Sequence, residues 1–119
     1  MSVIEEVSAM YDETYLRKTL RWLDKLNDPP AVALFVKSKD TGVLHKFVVE
    51  RQERLAYFIY HSRKHLNVKP YQSVTLIFQR GAKSDIIVPP LMSMGEVSDT
   101  YSHTDGFLYA VSASENAFG

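Results

Sequence analysis

The first thirty residues alternate apolar and polar positions with a helical period. Ser2 stands three residues before Glu5, the spacing of a capping box that opens a short helix. Asp12 is a second cap, and the apolar stripe that follows it repeats about every 3.6 residues. The stripe consists of Tyr15, Leu16, Thr19, Leu20, Trp22, Leu23 and Leu26. Because the two prolines within residues 27–30 end the helix, the pattern predicts a helical extension over residues 1–30.

Beyond the prolines the pattern changes to that of strands. An apolar run over residues 31–36, a polar turn over 37–42 and a run of strand formers over 43–49 predict a β-hairpin. The apolar residues of the second strand occupy both faces: Phe47 and Val49 lie on one, Leu44 and Val48 on the other. A strand that is apolar on both faces is covered on both. We therefore expect the N-terminal helix to pack against the far face of the sheet.

The remaining chain predicts two helices, three strands and a polar end. The segments are a helix over residues 53–66, a buried strand over 73–78, a polar loop over 79–85, a short strand over 86–88, a helix opened by a Ser93–Glu96 capping box, a strand over 106–112 and a tail over 113–119. This order is that of an α+β, ubiquitin-like β-grasp: a mixed sheet with one crossing helix, preceded by N-terminal helices. We predict a ubiquitin-like domain over residues 31–112 and a flexible C-terminal tail over residues 113–119.

Composition excludes several classes of function. The 119 residues are 45% hydrophobic, which suits one domain with one core. Fourteen Lys and Arg balance fourteen Asp and Glu, so the overall charge gives no sign of a nucleic-acid binder. The absence of cysteine excludes disulfides, a thiol nucleophile and cysteine-ligated metals. The first residues lack a secretory signal pattern, and no apolar run approaches the roughly 20 residues of a membrane span. We expect a soluble, cytoplasmic protein.

Several stretches of the chain are similar to one known family at matching places. They are Pro89-Pro90, Met94, Tyr101, residues 105–109 (Asp-Gly-Phe-Leu-Tyr), residues 114–119 (Ser-Glu-Asn-Ala-Phe-Gly), Arg63-Lys64, Pro70, residues 74–78 and residues 46–49. With these residues the chain resembles a diverged member of the GABARAP and microtubule-associated protein light chain three family of autophagy ubiquitin-like modifiers. The resemblance is densest over residues 55–119 and sparse over residues 1–30.

The resemblance implies a conjugation mechanism. Gly119 would be carried as a thioester on an activating and then a conjugating enzyme, and would be joined to phosphatidylethanolamine on the autophagosome membrane. Glycine suits this role because it has no Cβ, so the chain end can enter a narrow channel. A flexible tail over residues 113–118 would supply the reach. The family also has a cysteine protease that processes or delipidates its members.

A second implied activity is the recognition of cargo receptors through a short aromatic-x-x-aliphatic motif. From the residues alone, the strand over 43–49 follows a polar turn and is a candidate edge strand, which can pair with an extended peptide. By resemblance, the aromatic pocket of the groove would be formed by Trp22, Val32, Leu34, Lys46, Val48 and Phe107. The aliphatic pocket would be formed by Phe47, Val49, Phe58 and His61. Lys46 would meet an acidic flank of the peptide, whereas the apolar residues equally suit a plain core.

Some residues depart from the family pattern. Glu50 stands where a proline usually follows the strand, and Glu53 and His61 stand where aliphatic residues line the second pocket. We therefore expect a more polar pocket and a shifted peptide preference. The family's Tyr-Pro-Asp-Arg is here Leu-Asn-Asp-Pro at residues 26–29, which keeps only the aspartate. The predicted loop over residues 79–85 is longer than is usual in the family.

Other chemical constellations are set aside. His61 and His65 are four residues apart on the predicted helix but lack a third ligand at suitable spacing, so we predict no metal site and no cofactor. Ser102, His103 and Asp105 are too close in sequence to form a catalytic triad. We expect a monomer that is not an enzyme. Two alternatives stay open: an unconjugated ubiquitin-like peptide-binding module, and a modifier that is joined to a protein lysine.

Overall fold

The computed structural model describes residues 2–25 and 30–116. Its elements are α1 (Val3–Met10), α2 (Glu13–Lys25), β1 (Ala31–Ser38), β2 (Leu44–Glu50), α3 (Leu55–Ser62), β3 (Gln72–Arg80), β4 (Lys83–Ile86), α4 (Met94–Tyr101) and β5 (Leu108–Asn116). The five strands form one sheet in the order β2-β1-β5-β3-β4. The β1–β5 pair is parallel and the other neighbours are antiparallel, which confirms the predicted mixed sheet.

The sheet is buried on both faces. Leu34, Phe35 and Val36 of β1 are fully buried and alternate between the two sides. Leu34 and Val36 belong to a core with α3 and α4, whereas Phe35 belongs to a second core with α1 and α2. The N-terminal helices thus cover the face opposite the crossing helix, as the two-sided apolar pattern of the hairpin predicted.

The three predicted helix caps are confirmed. The Ser2 hydroxyl accepts the Glu5 backbone N–H at 3.1 Å, and the Asp12 carboxylate accepts that of Tyr15 at 2.7 Å. Ser93 caps α4 in the same way through the Glu96 N–H at 3.2 Å. Each cap satisfies a backbone donor that the first turn of a helix leaves without a partner.

Helix α1 is held to the sheet by polar contacts as well as by burial. Its Val3 and Val7 side chains are buried in the core between the sheet and the helices α1 and α2. The backbone N–H of Val3 donates to the side-chain oxygen of Gln79, a buried residue of β3, at 2.9 Å. Lys37 of β1 forms an ion pair with Glu6 at 2.7 Å. These contacts fix α1 at the centre of the sheet, above β1 and β3.

The polar loop predicted over residues 79–85 is wrong. Strand β3 continues to Arg80 and β4 begins at Lys83, so a two-residue turn at Gly81 and Ala82 joins them. Gly81 has a positive φ of 56°, a conformation that glycine adopts without steric cost. The polar residues of β4 are exposed, and β4 is an edge strand of the sheet. The predicted short strand therefore lies earlier, and no long loop is present there.

Two further boundaries differ from the sequence prediction. Strand β5 pairs with β3 as far as Asn116, so residues 113–116 belong to the sheet and not to a flexible tail. Phe118 and Gly119 lie outside the described residues. Helix α3 ends at Ser62, and turns carry the chain to Asn67, which has a positive φ of 56°. Within residues 2–25 and 30–116, no helix combines the length and the apolar character that crossing a bilayer requires.

Candidate functional site

Strand β2 is an edge strand of the sheet, as the sequence predicted. It pairs with β1 from Leu44 to Glu50, and among the described residues no strand lies on its other side. Its outer backbone groups are therefore available to an additional extended chain. The two faces of β2 lead to different surroundings: α3 lies on one side of the sheet and α2 on the other.

On the α3 side, a hollow of about 180 Å³ opens beside β2. The side chains that line it include those of Phe47, Val49, Glu53, Phe58, His61, Ser62 and His65. The structure therefore brings together all four residues predicted for the aliphatic pocket. Val49 and Phe58 are buried and form the floor, while His61 is exposed at the rim. The ring of Phe47 contacts Phe58 edge to face, with the centroids 5.1 Å apart.

Polar and aromatic groups surround this hollow. His65 meets the ring of Phe47 edge-on at 5.9 Å, and His45 stacks on the same ring at 6.0 Å. Partial burial, with a smaller repulsion from His65, lowers the pKa of the His45 imidazole below its ordinary value of 6.5. Glu53 adds a carboxylate to the lining. The hollow is thus more polar than a purely aliphatic pocket, which fits the departures noted in the sequence.

On the α2 side, the structure groups part of the predicted aromatic pocket. Lys46 and Val48 alternate with Phe47 and Val49, so they face the N-terminal helices. Phe107 lies on the same side of the sheet, fully buried against Phe35 with their centroids 5.4 Å apart. Val48 is 44% exposed, so its side chain is accessible beside the free edge.

Trp22 lies on α2, on the same side of the sheet, and about half of its side chain is exposed to solvent. Its side chain is 51% exposed and does not belong to the core between the sheet and the helices α1 and α2, whereas that of Leu23 does. A tryptophan with half of its surface in water is free to contact a ligand. Trp22 is therefore not a core residue, and its place in the aromatic pocket stays a prediction.

The placement predicted for Val32 and Leu34 is wrong. Both are buried in the core under α3, on the face of the sheet opposite Lys46 and Val48. Successive residues of a strand point to opposite faces, so they cannot line one pocket with Lys46. Ala33, which pairs with Val48, is the residue of β1 that faces α2.

One contact of Lys46 was not predicted. The ammonium of Lys46 donates a hydrogen bond to the Tyr15 hydroxyl at 2.9 Å and lies 4.8 Å from the centre of the Tyr15 ring. That ring stacks on Tyr11 at 5.0 Å, and Tyr11 in turn contacts Phe35 at 5.7 Å. The hydrogen bond from Lys46 lowers the pKa of the Tyr15 hydroxyl below its ordinary value of 10.0. In the sequence, the four-residue spacing of Tyr11 and Tyr15 could have indicated that the two rings stack.

Two of the three residues considered for a catalytic triad, His103 and Asp105, take part in contacts that hold the fold together. The Tyr109 hydroxyl donates to the carboxylate of Asp105, which also accepts the Phe107 backbone N–H at 2.9 Å. His103 accepts the Gly81 backbone N–H at 3.2 Å through Nδ1. Within the part of the chain that the structure describes, no three His, Asp or Glu side chains form a cluster that could hold a metal ion.

Comparison with known proteins identifies the family. The family model described as "Autophagy protein Atg8 ubiquitin like" matches residues 25–119. This chain belongs to the Atg8 family. A curated relative, Autophagy-related protein 8 of Pichia angusta, is 28% identical over 101 residues, which cover 83% of this chain and 74% of the relative. The crystal structure of Trypanosoma brucei ATG8 superposes with a TM-score of 0.71 at 20% identity and covers 90% of both chains. The fold is therefore ubiquitin-like, and the protein is an Atg8-like autophagy protein.

Proposed function

We propose that this Atg8 protein is a lipid-conjugated modifier of the GABARAP and light chain three type. Gly119 would be activated by an ATP-dependent enzyme, carried as a thioester on a conjugating enzyme and transferred to the amine of phosphatidylethanolamine. The protein is then the substrate of these steps and not an enzyme. The residues at 114–119 that resemble the family support this function, together with the family membership. A cysteine protease would expose or release Gly119.

The protein would act as a monomer that moves from the cytoplasm to the autophagosome membrane after conjugation. There it would recruit cargo receptors through the edge strand β2. The observation that carries this second part is the free edge of β2, with a separate binding surface on each face of the sheet. An extended peptide would add to the sheet as a strand beside β2.

The geometry of the two surfaces fits the spacing of the proposed motif. Residues three positions apart on an extended strand point to opposite faces, because side chains alternate at every residue. In an aromatic-x-x-aliphatic peptide paired with β2, the aromatic residue would lie on the α2 side, near Lys46, Val48 and Trp22. The aliphatic residue would enter the hollow beside Phe47 and Phe58. The ammonium of Lys46 would meet an acidic residue that flanks the motif.

A reconstituted reaction tests the conjugation step. The protein is incubated with its activating and conjugating enzymes, ATP and vesicles that contain phosphatidylethanolamine, and the products are resolved by mass spectrometry. We expect an adduct of protein and lipid with the wild type and none with Gly119→Ala. An adduct that persists in the variant, or no adduct with the wild type, would contradict this function. Transfer to protein lysines in the same mixture would favour the other class of modifier.

Peptide titration followed by backbone NMR tests the groove. A peptide with the motif is expected to shift the signals of residues 44–50 and of Phe58 and His61. A matched peptide in which both anchor residues are alanine serves as the control and should leave these signals in place. Shifts confined to other regions would remove β2 as the binding site. Peptide binding without conjugation would identify an unconjugated peptide-binding module.

A further inference from the structure

The basic and acidic residues of the chain are equal in number but are separated along the sequence. Residues 54–84 contain six Lys and Arg, and no Asp or Glu: Arg54, Arg63, Lys64, Lys69, Arg80 and Lys83. Residues 85–119 contain five Asp and Glu, and no Lys or Arg: Asp85, Glu96, Asp99, Asp105 and Glu115. The basic stretch comprises α3, β3 and the start of β4. A neutral protein with such segregation can present a positively charged face.

Part of the basic stretch forms a cleft at the C-terminal end of α3. The cleft has a volume of about 680 Å³ and is lined by Tyr60, His61, Arg63, Lys64, Val68 and Pro70. The Arg63 guanidinium donates to the carbonyl oxygens of Lys69 and Gln72, both at 2.7 Å. Arg63 therefore fixes the segment 69–72 against α3, so that the exposed Lys64 and Lys69 are held around one surface.

Three exposed tyrosines belong to the same segments as the cleft: Tyr57 and Tyr60 to α3, and Tyr71 to the turn at Pro70. Tyr57, Tyr60 and Tyr71 are 62%, 69% and 54% exposed. Tyr57 and Tyr60 lie on α3 on either side of His61, with ring centroids 6.3 Å and 5.5 Å from the imidazole. Exposed amphipathic rings beside Lys and Arg are typical of surfaces that lie at the headgroup level of a membrane. Two carboxylates lie close to these residues: Glu53 lines the hollow beside β2 together with His61, and Glu115 pairs with Ser73.

This surface lies where strand β5 leaves the sheet. Asn116, the last residue of β5, pairs with Gln72, and the two side-chain amides are 3.4 Å apart. Gln72 is also the residue whose carbonyl Arg63 holds. Gly119 is three residues beyond Asn116, a distance of at most about 11 Å for an extended chain. If Gly119 is joined to a lipid, as proposed above, the bilayer would be brought next to this face.

We infer that the face formed by Tyr57, Tyr60, Lys64, Lys69 and Tyr71 binds the surface of a bilayer that contains anionic phospholipid. The ammonium groups would lie near the lipid phosphates and the tyrosine rings at the headgroup level. The inference rests on the proposed function for its setting, since the conjugated lipid would hold this face in place. The two acyl chains of phosphatidylethanolamine would hold the conjugated protein on the membrane, and the basic face would set its orientation there. This orientation leaves the residues of β2 outside the face that contacts lipid.

The unconjugated full chain provides the test, so the outcome does not depend on the conjugation reaction. Sedimentation with vesicles of phosphatidylcholine alone and of phosphatidylcholine with phosphatidylserine is compared at low and high salt. We expect binding to the anionic vesicles that weakens with salt. Lys64→Ala combined with Lys69→Ala should lower binding by at least about fivefold. The control combines Lys18→Ala and Arg21→Ala on α2, which remove an equal charge across the sheet and should leave binding unchanged.

Tryptophan quenching tests the orientation. Trp22, the chain's single tryptophan, lies on α2 across the sheet, so brominated lipids should not quench its fluorescence. In a Trp22→Phe background, Tyr60→Trp should be quenched strongly. Equal quenching at the two positions, equal losses in both pairs of alanine variants, or no preference for anionic vesicles would overturn the inference. Capture of an acidic peptide by the cleft without vesicle binding would also overturn it.

Discussion

Lys46 is in contact with Tyr15 before any ligand arrives. The phenol hydroxyl accepts a hydrogen bond from the ammonium, and the ring lies below the same charge. A peptide carboxylate that uses Lys46 has to replace the hydroxyl as the acceptor. Tyr15 thus competes with the acidic flank of a ligand, while its stacking on Tyr11 holds it in place.

Replacement of Tyr15 by phenylalanine isolates this competition. Tyr15→Phe keeps the stacked ring but removes the acceptor, which releases the ammonium for a carboxylate. The hydrogen bond contributes about 0.5–1.5 kcal/mol, so a motif peptide with an acidic flank should bind about 2–10 times more tightly. A peptide with a glutamine flank should bind unchanged, as should both peptides to the control Tyr60→Phe. Isothermal titration calorimetry measures the six affinities of the two peptides for the wild type and the two variants, and an equal gain for both peptides with Tyr15→Phe would exclude competition for Lys46.

Tyr109 illustrates a buried hydroxyl that stabilises the fold. The side chain is buried in the core between the sheet and the helices α1 and α2. Burial, together with the Asp105 carboxylate, raises the pKa of the Tyr109 hydroxyl far above its ordinary value. The hydroxyl therefore stays protonated and donates to Asp105. A hydrogen bond to a charged acceptor contributes roughly 1.5–3 kcal/mol. Tyr109→Phe should lower the free energy of unfolding by an amount in this range.

Urea denaturation measures the effect of Tyr109→Phe. Tyr101→Phe is a suitable control because Tyr101 is a partly buried tyrosine that packs against the other core. A loss in Tyr109→Phe that does not exceed that of the control would show that the contact with Asp105 contributes nothing to stability.

At the scale of elements, one buried side chain connects α1 to the sheet. Gln79 supplies the acceptor for the first N–H of α1, a donor that the helix itself cannot satisfy. Gln79→Leu keeps a similar volume but leaves that N–H buried without a partner, at a cost of about 1–3 kcal/mol. We expect amide hydrogens of α1 to exchange faster, while those of β5 stay protected. The exposed Gln52→Leu is the control, and unchanged exchange in α1 would contradict the role of Gln79.

The elements also show what the sequence could and could not predict. The caps, the hairpin of β1 and β2, and the helical cover on both faces followed from local patterns of polar and apolar residues. The polar ends of β3 and β5 did not, because backbone pairing holds a strand together without apolar side chains. The position of Gln79 under α1 likewise depends on contacts between residues that are far apart in the sequence.

The candidate site was predictable on one side of the sheet and less so on the other. The four residues that the family resemblance implied for the aliphatic pocket lie together, because Phe47 and Val49 of β2 share the face of the sheet that α3 covers. In β1 all residues from Val32 to Val36 are apolar, so the sequence carries no signal for which of them face α2. Only the pairing of Ala33 with Val48 decides the faces. The Tyr15 contact depends on how α2 lies across β2, which no local pattern contains.

At the scale of the whole molecule, the pH dependence of stability can be predicted from His45. Partial burial lowers its pKa in the folded state, so the unfolded chain binds more protons at mildly acidic pH. By linkage, the stability is fully present above pH 6.5, the ordinary value, and falls as the pH drops through the folded-state pKa. His45→Gln should show a smaller loss of the free energy of unfolding between neutral pH and pH 5 than the wild type. Thermal melting across this range measures the difference, and parallel curves would contradict it.

The parallel pairing of β1 with β5 has a mechanical consequence. Strand β5 lies in the middle of the sheet and is bonded to β1 on one side and to β3 on the other. A pull on the C-terminal end therefore acts along the central strand, and both rows of hydrogen bonds resist it in shear. A molecule attached to a membrane at that end would bear the pulling force from captured cargo along β5, and its strands would not separate one by one from the edge of the sheet.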